Sequence, residues 1–369
     1  MLRRLASVLA LAAAVGYGAF GVRAAGARVR PVPTAPDELR GAWHVHTTRS
    51  DGRGTLREVV AAARDAGLSF LVVTDHNVIA PEEQGWHDGV LVVQGVEIST
   101  RHGHVVALGI DLAAAQAARK AEDPLGSIAA AGGRAVLAHP LHPRRAFRGL
   151  DGAAPWAGFE VFSNDTAWYQ ALAERAWGRI AGSVALLPFD GGRAVLDLAA
   201  PPREELARLD AARARARAAG DRRQARALLC SVDAHGYPSY RAAFAAATMH
   251  VPVRPTGDGA ADAAAVADAL LEGDAACVLA ARGAVSRVRF TGGEATALDL
   301  ELAAAAGDAE VRLVRDGVTA VERPLALRAG ANHVPLATVC GGPCAPGDYR
   351  LELWRSGAPW LFTNWVRIE

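Results

Sequence analysis

Residues 41–52 read Gly-Ala-Trp-His-Val-His-Thr-Thr-Arg-Ser-Asp-Gly, a short apolar strand that runs into a polar turn. His44 and His46 are two residues apart, so in a strand both side chains point to the same face. Two imidazoles at the end of a strand provide half of a metal site. Asp51, in the turn that follows, adds an oxygen ligand within reach. We therefore expect the remaining ligands further along the chain.

The length and composition of the chain favour one large α/β domain and a smaller second domain. The chain has 369 residues, of which 51% are hydrophobic, enough for a full core. With a net charge of +1, nothing in the composition argues for a nucleic-acid partner, which would favour a basic protein. After about residue 285, Ala-rich segments give way to short alternating strands with Gly and Pro turns. This pattern predicts a small C-terminal β-sandwich domain over residues 285–369, after a main domain over residues 39–284.

The N-terminus has the pattern of an export signal. Arg3 and Arg4 precede an uncharged apolar run over residues 5–22, and small residues follow at 25–27. The run is also just long enough to cross a bilayer, so residues 1–27 are predicted to be a signal peptide or a membrane anchor. Residues 28–38 contain three prolines and are predicted to be a linker. We expect an exported protein, either periplasmic or extracellular, or one associated with the membrane through its N-terminus and facing outward.

The four cysteines all lie in the second half of the chain. The spacing of Cys340 and Cys344 could form half a zinc site, but no second such pair is present. A local disulfide between these two cysteines is the better interpretation for an exported protein. Cys230 and Cys277 lie in apolar runs and are predicted to be plain core residues.

A strand, a polar cluster and a helix recur along residues 40–235, which predicts a parallel α/β arrangement. The predicted strands 69–73, 134–138 and 227–232 each run into a cluster that contains His or Asp. In barrels of parallel strands, catalytic side chains lie at the C-terminal ends of the strands. His104 is an exception to this pattern, because it begins its strand.

Nine residues that commonly bind metals recur along this part of the chain: His44, His46, Asp51, His76, Glu97, His104, His139, Asp233 and His235. A lone histidine is more often structural than a ligand, but nine such residues in this pattern indicate a metal site. Nitrogen and carboxylate ligands without thiolate suit Zn²⁺, Mn²⁺ or Fe²⁺. Nine ligands exceed the needs of one ion, whereas two or three divalent ions with a bridging carboxylate would use them all.

Three other hydrolase classes fit the sequence less well. A metallo-β-lactamase-like site needs His-x-His-x-Asp-His, and here Thr48 and Arg49 occupy the last two positions. An amidohydrolase with a carbamylated lysine needs a lysine at a strand end, and Lys120, the only lysine, follows an Ala-rich helical segment. The Gly-x-Ser-x-Gly elbow of a serine hydrolase is absent.

Six motifs occur in order between about residues 40 and 285: His-Val-His with Ser-Asp-Gly, Thr-Asp-His-Asn, Gly-Val-Glu-Ile-Ser, Gly-His-Val-Val-Ala-Leu-Gly, Ala-His-Pro and Asp-Ala-His. Together they resemble the PHP (polymerase and histidinol phosphatase) domain. The Gly-His strand and the C-terminal β domain are most similar to the CehA/McbA-like metallohydrolase branch. The resemblance implies a distorted (β/α)7 PHP-type barrel with a two- or three-metal site.

The resemblance also implies how the ligands are shared. One ion would be held by four residues: His44, His46, Glu97 and Asp233. Glu97 would bridge to a second ion, held also by two histidines: His104 and His139. A third ion would have its own set: Asp51, His76 and His235. Two further residues are expected to orient ligands, Asp75 and Asn164, and His102 competes with His104, which lies in the matching Gly-His motif.

The function that follows is metal-dependent hydrolysis, with a phosphoester of a small anionic molecule as the leading substrate. Two metal ions would lower the pKa of a bridging water, and the resulting hydroxide would attack in line. His235 or Asp233 would carry the proton. The same site suits carboxylic, amide or carbamate esters, and a non-catalytic metal-binding or structural protein is the alternative from another class. Because all nine ligands are present, the sequence favours the enzyme. Residues 165–228 are longer than expected, so the substrate pocket is not predicted.

Overall fold

The computed structural model describes residues 2–149, 155–221, 224–292 and 296–369. Within the first of these ranges, residues 2–9 are described by their backbone alone. The strands, β1 to β19 in chain order, are Leu39–Val45, Phe70–Val73, Gly85–His87, Val90–Gln94, Val96–Thr100, Gly103–Leu108, Arg134–Leu137, Gly158–Ser163, Ala227–Ala234, Thr248–Val251, Ala276–Val278, Val285–Thr291, Ala297–Leu302, Ala309–Arg315, Val318–Pro324, Gly330–Pro335, Gly347–Arg355, Ala358–Thr363 and Val366–Ile368. The helices, α1 to α11, are Leu2–Ala27, Leu56–Asp65, Leu112–Lys120, Pro124–Ala130, Asn164–Ala173, Trp177–Leu186, Gly191–Leu198, Arg203–Ala218, Tyr240–Ala246, Gly259–Glu272 and Leu336–Cys340.

The mixed α/β fold is organised around β1. This strand is buried along its whole length and pairs in parallel with β2 and β9 and antiparallel with β10. The sheet continues from β9 through β8, β7 and β6 to β5. Strands covered on both faces read as continuous apolar runs, and β2, with the sequence Phe-Leu-Val-Val, is an example. The predicted α/β class is confirmed.

Two of the central strands form a hairpin instead of a parallel pair. Only Arg101 and His102 connect β5 to β6, and such a short connection can join only antiparallel neighbours. β6 also pairs antiparallel with β7. The uniformly parallel arrangement predicted from the sequence is therefore wrong for these strands, because it treated β6 as one more repeat of strand and helix.

The first residues of β5 return to the end of β2. Gly95 N–H donates to the carbonyl of Val73 at 2.8 Å, and Glu97 N–H donates to the carbonyl of Thr74 at 3.2 Å. His76 and Glu97 also form an isolated parallel bridge. Backbone hydrogen bonds therefore lead from β2 through β1, β9, β8, β7, β6 and β5 back to the end of β2.

The C-terminal strands fall into two groups. β12, β13 and β16 form a separate three-stranded antiparallel sheet. β14, β15, β17, β18 and β19 extend the large sheet, because β18 pairs with β11 and places Phe362 opposite Cys277. Exposure largely alternates along β13 and β14, as expected for strands with one covered face. The second of these groups is therefore continuous with the main sheet.

Asn364 ties these strands to the central sheet, and its loss is expected to destabilise the protein. Its side-chain oxygen accepts from Leu228 N–H at 2.6 Å, and its amide donates to the carbonyls of Leu228 and Ala275 at 3.3 and 2.8 Å. Asn364→Ala leaves these buried groups without partners, so the free energy of unfolding in urea should fall by about 1–3 kcal/mol. The control is Asn332→Ala, because this more exposed amide donates only to carbonyls of its own turn. Equal stability of the two variants would contradict the prediction.

Two disulfides are present. Cys340 and Cys344 are bonded, as predicted. The prediction that Cys230 and Cys277 are plain core residues is wrong, because these two also form a disulfide, with their Cα atoms 5.7 Å apart. A buried thiol packs like a small hydrophobe, so an apolar sequence context does not distinguish the two states. Their separation of 47 residues gives no local signal of pairing.

Among the described residues, α1 is the helix that is long and apolar enough to cross a membrane. Its segment Ala10–Ala27 has a mean hydropathy of 1.2 and is almost entirely exposed. A signal sequence has the same properties, so this helix agrees with both predicted roles of residues 1–27. The Tyr17 hydroxyl donates to the carbonyl of Ala185 at 3.0 Å, and the Tyr17 and Phe189 rings lie 5.3 Å apart. The helix thus contacts α6 and the segment that follows it.

Candidate metal centre

All nine predicted ligands come together at one edge of the central sheet. Seven of them lie near or after the carboxyl ends of β1, β2, β7 and β9. Glu97 is instead the second residue of β5, and its N–H donates to the carbonyl of Thr74, just after β2. His104 joins them although it begins β6, because the hairpin brings the start of β6 beside the end of β5, with His104 opposite Ser99. The exception noted in the sequence is thus explained by strand direction.

The backbone is irregular at several of these positions. His44, His139 and Asp233 have positive φ angles of 70°, 29° and 42°. The pairing of β1 with both of its parallel neighbours shifts register between Trp43 and Val45. Both histidines of β1 face the site, but on a bulged strand and not on the regular one assumed from their spacing.

Glu97 is the centre of the cluster. Its side chain is buried, and imidazoles surround both carboxylate oxygens. Three ring nitrogens lie 3.1–3.2 Å from Oε2: His44 Nε2, His46 Nε2 and His76 Nδ1. Two more lie 2.7 and 3.0 Å from Oε1: His104 Nδ1 and His139 Nε2. One carboxylate therefore faces two groups of histidines on its two oxygens, the arrangement expected of a bridging ligand.

The remaining candidate ligands lie close to their predicted partners, but two histidines lie between the predicted sets. Asp233 Oδ1 lies 3.6 Å from His44 Nε2 and 3.4 Å from His46 Nε2. Asp51 lies 3.3 Å from His235 Nε2 and 3.6 Å from His76 Nε2. His76 faces Glu97 with Nδ1 and Asp51 with Nε2, and His46 Nδ1 also lies 3.6 Å from Asp51.

The donor atoms fit divalent ions. Three groups have ligand atoms within 4.8 Å of one another: His44 with His46 and Asp233; His76 with Glu97 and His104; and His46 with Asp51, His76 and His235. Ligand bonds of about 2 Å to a shared ion produce separations of this size. His46 Nε2 and His76 Nδ1 are buried and make no hydrogen bond, although each lies 3.2 Å from Glu97. Buried polar atoms without partners are unfavourable, and a cation would satisfy both.

Without ions, the charges of the cluster favour protonated histidines. Burial alone would lower the pKa of His46, but the adjacent carboxylates of Asp233 and Glu97 raise it to about 9. Burial also opposes protonation of His44, yet the charges of Glu160 and Glu97 raise its pKa well above the ordinary value. His76 differs, because burial lowers its pKa to about 4. Burial would raise the pKa of Glu97, but the surrounding imidazoles hold it well below its usual range.

Glu160 is a buried residue of the site that the sequence analysis missed. Its carboxylate accepts 2.7 Å hydrogen bonds from Trp43 Nε1, His44 Nδ1 and the backbone N–H of His139. A proton held on His44 Nδ1 leaves the lone pair of Nε2 free for a metal. The only signal in the sequence was an acidic residue inside the apolar strand Gly-Phe-Glu-Val-Phe.

The residues predicted to orient ligands have different surroundings. Asp75 accepts from the backbone and hydroxyl of Thr47 and from Ser50 Oγ, and so orders the turn that carries Asp51. Asn164 does not orient a ligand in this way, because its amide atoms are buried and have no hydrogen-bond partner. His102 faces away, with Nε2 3.0 Å from the carbonyl of Glu122, so the choice of His104 agrees with the structure.

A cavity of about 370 Å³ opens beside the cluster. Asp51, Asp233 and His235 belong to its lining, and side chains of α5, α6 and α7 form much of the remainder. These three helices lie largely within residues 165–228, the segment whose role the sequence did not reveal. A cavity of this volume can hold a small molecule.

Comparisons with known proteins give partial matches. No protein-family model matches the chain. A stretch of 78 residues is 36% identical to the phosphoribosyl 1,2-cyclic phosphate 1,2-diphosphodiesterase of Eggerthella lenta, and covers 18% of this chain and 30% of that protein. The chain therefore matches less than a third of the length of this curated relative.

Three solved structures are similar at low identity. A two-domain protein from Bacteroides vulgatus, described as containing a predicted PHP-like metal-dependent phosphoesterase, is 14% identical over 92% of this chain and 98% of its own, with a TM-score of 0.40. A putative metal-dependent phosphoesterase from Bifidobacterium adolescentis is 19% identical over 40% of this chain and 85% of its own, with a TM-score of 0.27. An amidohydrolase from Chromobacterium violaceum, with bound sulfate and no metal, is 20% identical over 39% of this chain and 83% of its own, with a TM-score of 0.26. The resemblance to PHP-like proteins recurs among these matches, but at such scores they assign no activity to this chain.

Proposed function

We propose that this protein is a metal-dependent hydrolase whose substrates are phosphoesters. One observation carries the proposal: a single buried carboxylate, Glu97, faces five imidazoles on its two oxygens, beside a cavity. A structural ion pair needs one or two partners, whereas five histidines around one carboxylate suit a bridged metal cluster. The activity that names the Eggerthella lenta relative, a diphosphodiesterase, supports the phosphoester as substrate.

The ions would be held in the sets described above. Bound there, they would supply a water of lowered pKa at neutral pH and positive charge against the phosphoryl oxygens. Two or three ions of zinc, manganese or iron fit the nitrogen and oxygen donors. The seven strands linked from β2 round to β5 fit the distorted (β/α)7 barrel that the resemblance implies, and residues 285–369 would form the second domain.

Of the two candidate proton carriers, His235 is better placed than Asp233. The Asp233 carboxylate is almost fully buried against His44 and His46. About a quarter of the His235 side chain is exposed, and both residues line the cavity. Asp51 lies 3.3 Å from His235 Nε2 and stabilises the protonated ring. When two ions are bound and His235 is not a ligand, it can therefore exchange a proton with the leaving group or with solvent.

The test is a measurement of bound metal followed by a substrate screen. Protein prepared with zinc, manganese or iron is analysed for metal per chain, then assayed with phosphomonoesters, phosphodiesters, and carboxylic and carbamate esters. We expect more than one ion per chain and turnover of a phosphoester that a chelator abolishes. Turnover of carboxylic or carbamate esters alone would refute the phosphoesterase proposal. Absence of bound metal would refute the metal site.

Metal loading is expected to release protons. Four histidines of the cluster have raised pKa values: His44, His46, His139 and His235. Because metals bind the neutral ring, an ion must displace these protons, and the apparent affinity should fall as the pH is lowered from about 9 towards 6. Calorimetry at pH 7 in buffers of different ionisation enthalpy should show release of more than one proton per chain. An enthalpy independent of the buffer would contradict this.

Export would agree with both disulfides and with α1. The protein would then lie outside the cytoplasmic membrane, with residues 1–27 either removed or serving as its anchor. Labelling of intact cells with a membrane-impermeant reagent and sequencing of the mature N-terminus distinguish these arrangements. Full-length protein in the soluble cytosol would refute both.

A further inference from the structure

The lining of the cavity beside the metal centre has a polar part and an apolar part. Asp51, Asp233 and His235 belong to the polar part. Beside Ser183, four aliphatic side chains of α6, α7 and the segment between them form what we call the apolar wall: Val184, Leu187, Val195 and Leu198. A small polar substrate would leave this aliphatic surface in contact with water, so the cavity suits a ligand with both a charged and an apolar part.

Two further polar groups of the lining can bind a head group. Arg145 is exposed at the cavity, where its guanidinium can bind an anionic oxygen. Asn164 also lines the cavity, and both polar atoms of its amide are buried without a partner. Such an amide is stabilised when a ligand supplies its hydrogen bonds. The acidic Asp165 lines the cavity as well, but its carboxylate lies 3.3 Å from His142 Nε2.

The apolar wall reaches the protein surface at Val184, where further apolar side chains are exposed. Trp177 and Val184 are seven residues apart on α6, and therefore on one face, and are 63% and 60% exposed. Tyr237, at the cavity, is 68% exposed. α1, which is apolar and long enough to span a bilayer, contacts the same wall through Ala185 and Phe189. Exposed apolar surface of this kind marks a contact with another apolar phase.

We propose that the cavity binds the apolar chain of an amphiphilic phosphoester, whose head group lies at the Glu97 cluster. This inference rests on the proposed phosphoesterase function and names its substrate class. In the reaction, the oxygen of one water bonds to phosphorus, the phosphorus–oxygen bond to the alkyl group breaks, and a proton of that water passes to the leaving alkoxide. The products are the apolar alcohol and the phosphate. The substrate comes either from a lipid bilayer or from free amphiphile in solution.

Binding is tested apart from chemistry. The full chain, loaded with metal and held in lipid nanodiscs, is titrated with butyl-, hexyl- and octylphosphonate, and Kd is measured by calorimetry. We expect Kd to fall about two- to fourfold per added methylene, as for transfer of methylenes into an apolar site. Empty nanodiscs correct for partition into lipid. An affinity independent of chain length would overturn the inference.

Comparison of two variants tests whether the alkyl chain binds at the apolar wall. Val184→Ser combined with Leu187→Ser makes the wall polar and is expected to flatten the dependence of Kd on chain length. Val318→Ser is the matched control, because Val318 is 70% exposed on β15, outside the cavity lining. The control should keep the full dependence. If the double variant keeps it as well, the chain binds elsewhere and the inference is wrong.

Hydrolysis assays distinguish a substrate drawn from a bilayer from one that is free in solution. They also test the phosphoesterase function separately from the amphiphilic substrate class. Turnover of a dialkyl phosphodiester embedded in nanodiscs supports a bilayer source, and turnover of a soluble monoalkyl ester alone supports free amphiphile. Chain-dependent binding without hydrolysis of any phosphoester would refute the proposed function but not the ligand class. Hydrolysis without chain-dependent binding would refute the ligand class and leave the function.

Discussion

Replacement of Glu97 by glutamine is expected to abolish activity and to remove metal from more than one set of ligands. Both oxygens of Glu97 face histidines, so its charge offsets two neighbouring cations, and a neutral amide is a poor bridge between them. Groups that act as one unit lose their function together, so we expect turnover to fall by at least about 10³-fold. Metal per chain and turnover of the best phosphoester are the measurements.

Three comparisons make this result specific. Combining Glu97→Gln with Asp233→Asn should reduce turnover little further, because the shared cluster is already lost. His139→Ala removes a ligand from one side of the carboxylate only, and should lower metal content less. Glu38→Gln is the control for loss of a buried carboxylate, because Glu38 pairs with His250 away from the site. Near-normal metal and turnover in Glu97→Gln would refute the bridging role.

Replacement of Glu160 by glutamine is expected to weaken metal binding about 10- to 100-fold, the usual effect of removing a group that orients a metal ligand. One oxygen of Glu160 accepts from Trp43 and His44, and the other accepts from the backbone of His139. An amide places an NH₂ group against one of these donors in either orientation. Depending on the orientation, either His44 loses its position or its tautomer, or the backbone of His139 loses its acceptor.

Glu160 acts through His44, so it is a positioning residue, and the measurement must separate affinity from turnover. Competition with a chromogenic chelator gives the metal affinity, and a metal titration of activity shows whether excess metal restores turnover. We expect restoration in Glu160→Gln but not in Glu97→Gln. Glu38→Gln again serves as the control. If Glu160→Gln binds metal with wild-type affinity, the Glu160 carboxylate does not position His44 for metal binding.

Most of the nine candidate ligands could be predicted because they lie in short polar clusters beside apolar runs. Glu97, between Val96 and Ile98, was instead assigned through the Gly-Val-Glu-Ile-Ser motif. Glu160 could not be found in the same way, because it lies inside a buried strand whose neighbours are all apolar or small. The Cys230–Cys277 disulfide joins β9 to β11, and only the folded chain brings those positions together. The cavity wall was unpredictable for a similar reason, because its shape depends on how α5, α6 and α7 pack.

The positive φ angles of His44, His139 and Asp233 have a consequence for the energy landscape of the chain. Side-chain-bearing residues rarely adopt this backbone conformation, and each instance costs on the order of 1–3 kcal/mol. Glycine would relieve the strain but would remove the side chain that points into the site. At these three positions, the backbone conformation that the residue prefers conflicts with the one that directs its side chain into the site. Foldable sequences otherwise avoid such conflicts, which are called frustration. Because ligands that bind only the native state stabilise it by mass action, the metal-filled state would be the one in which this conflict is offset.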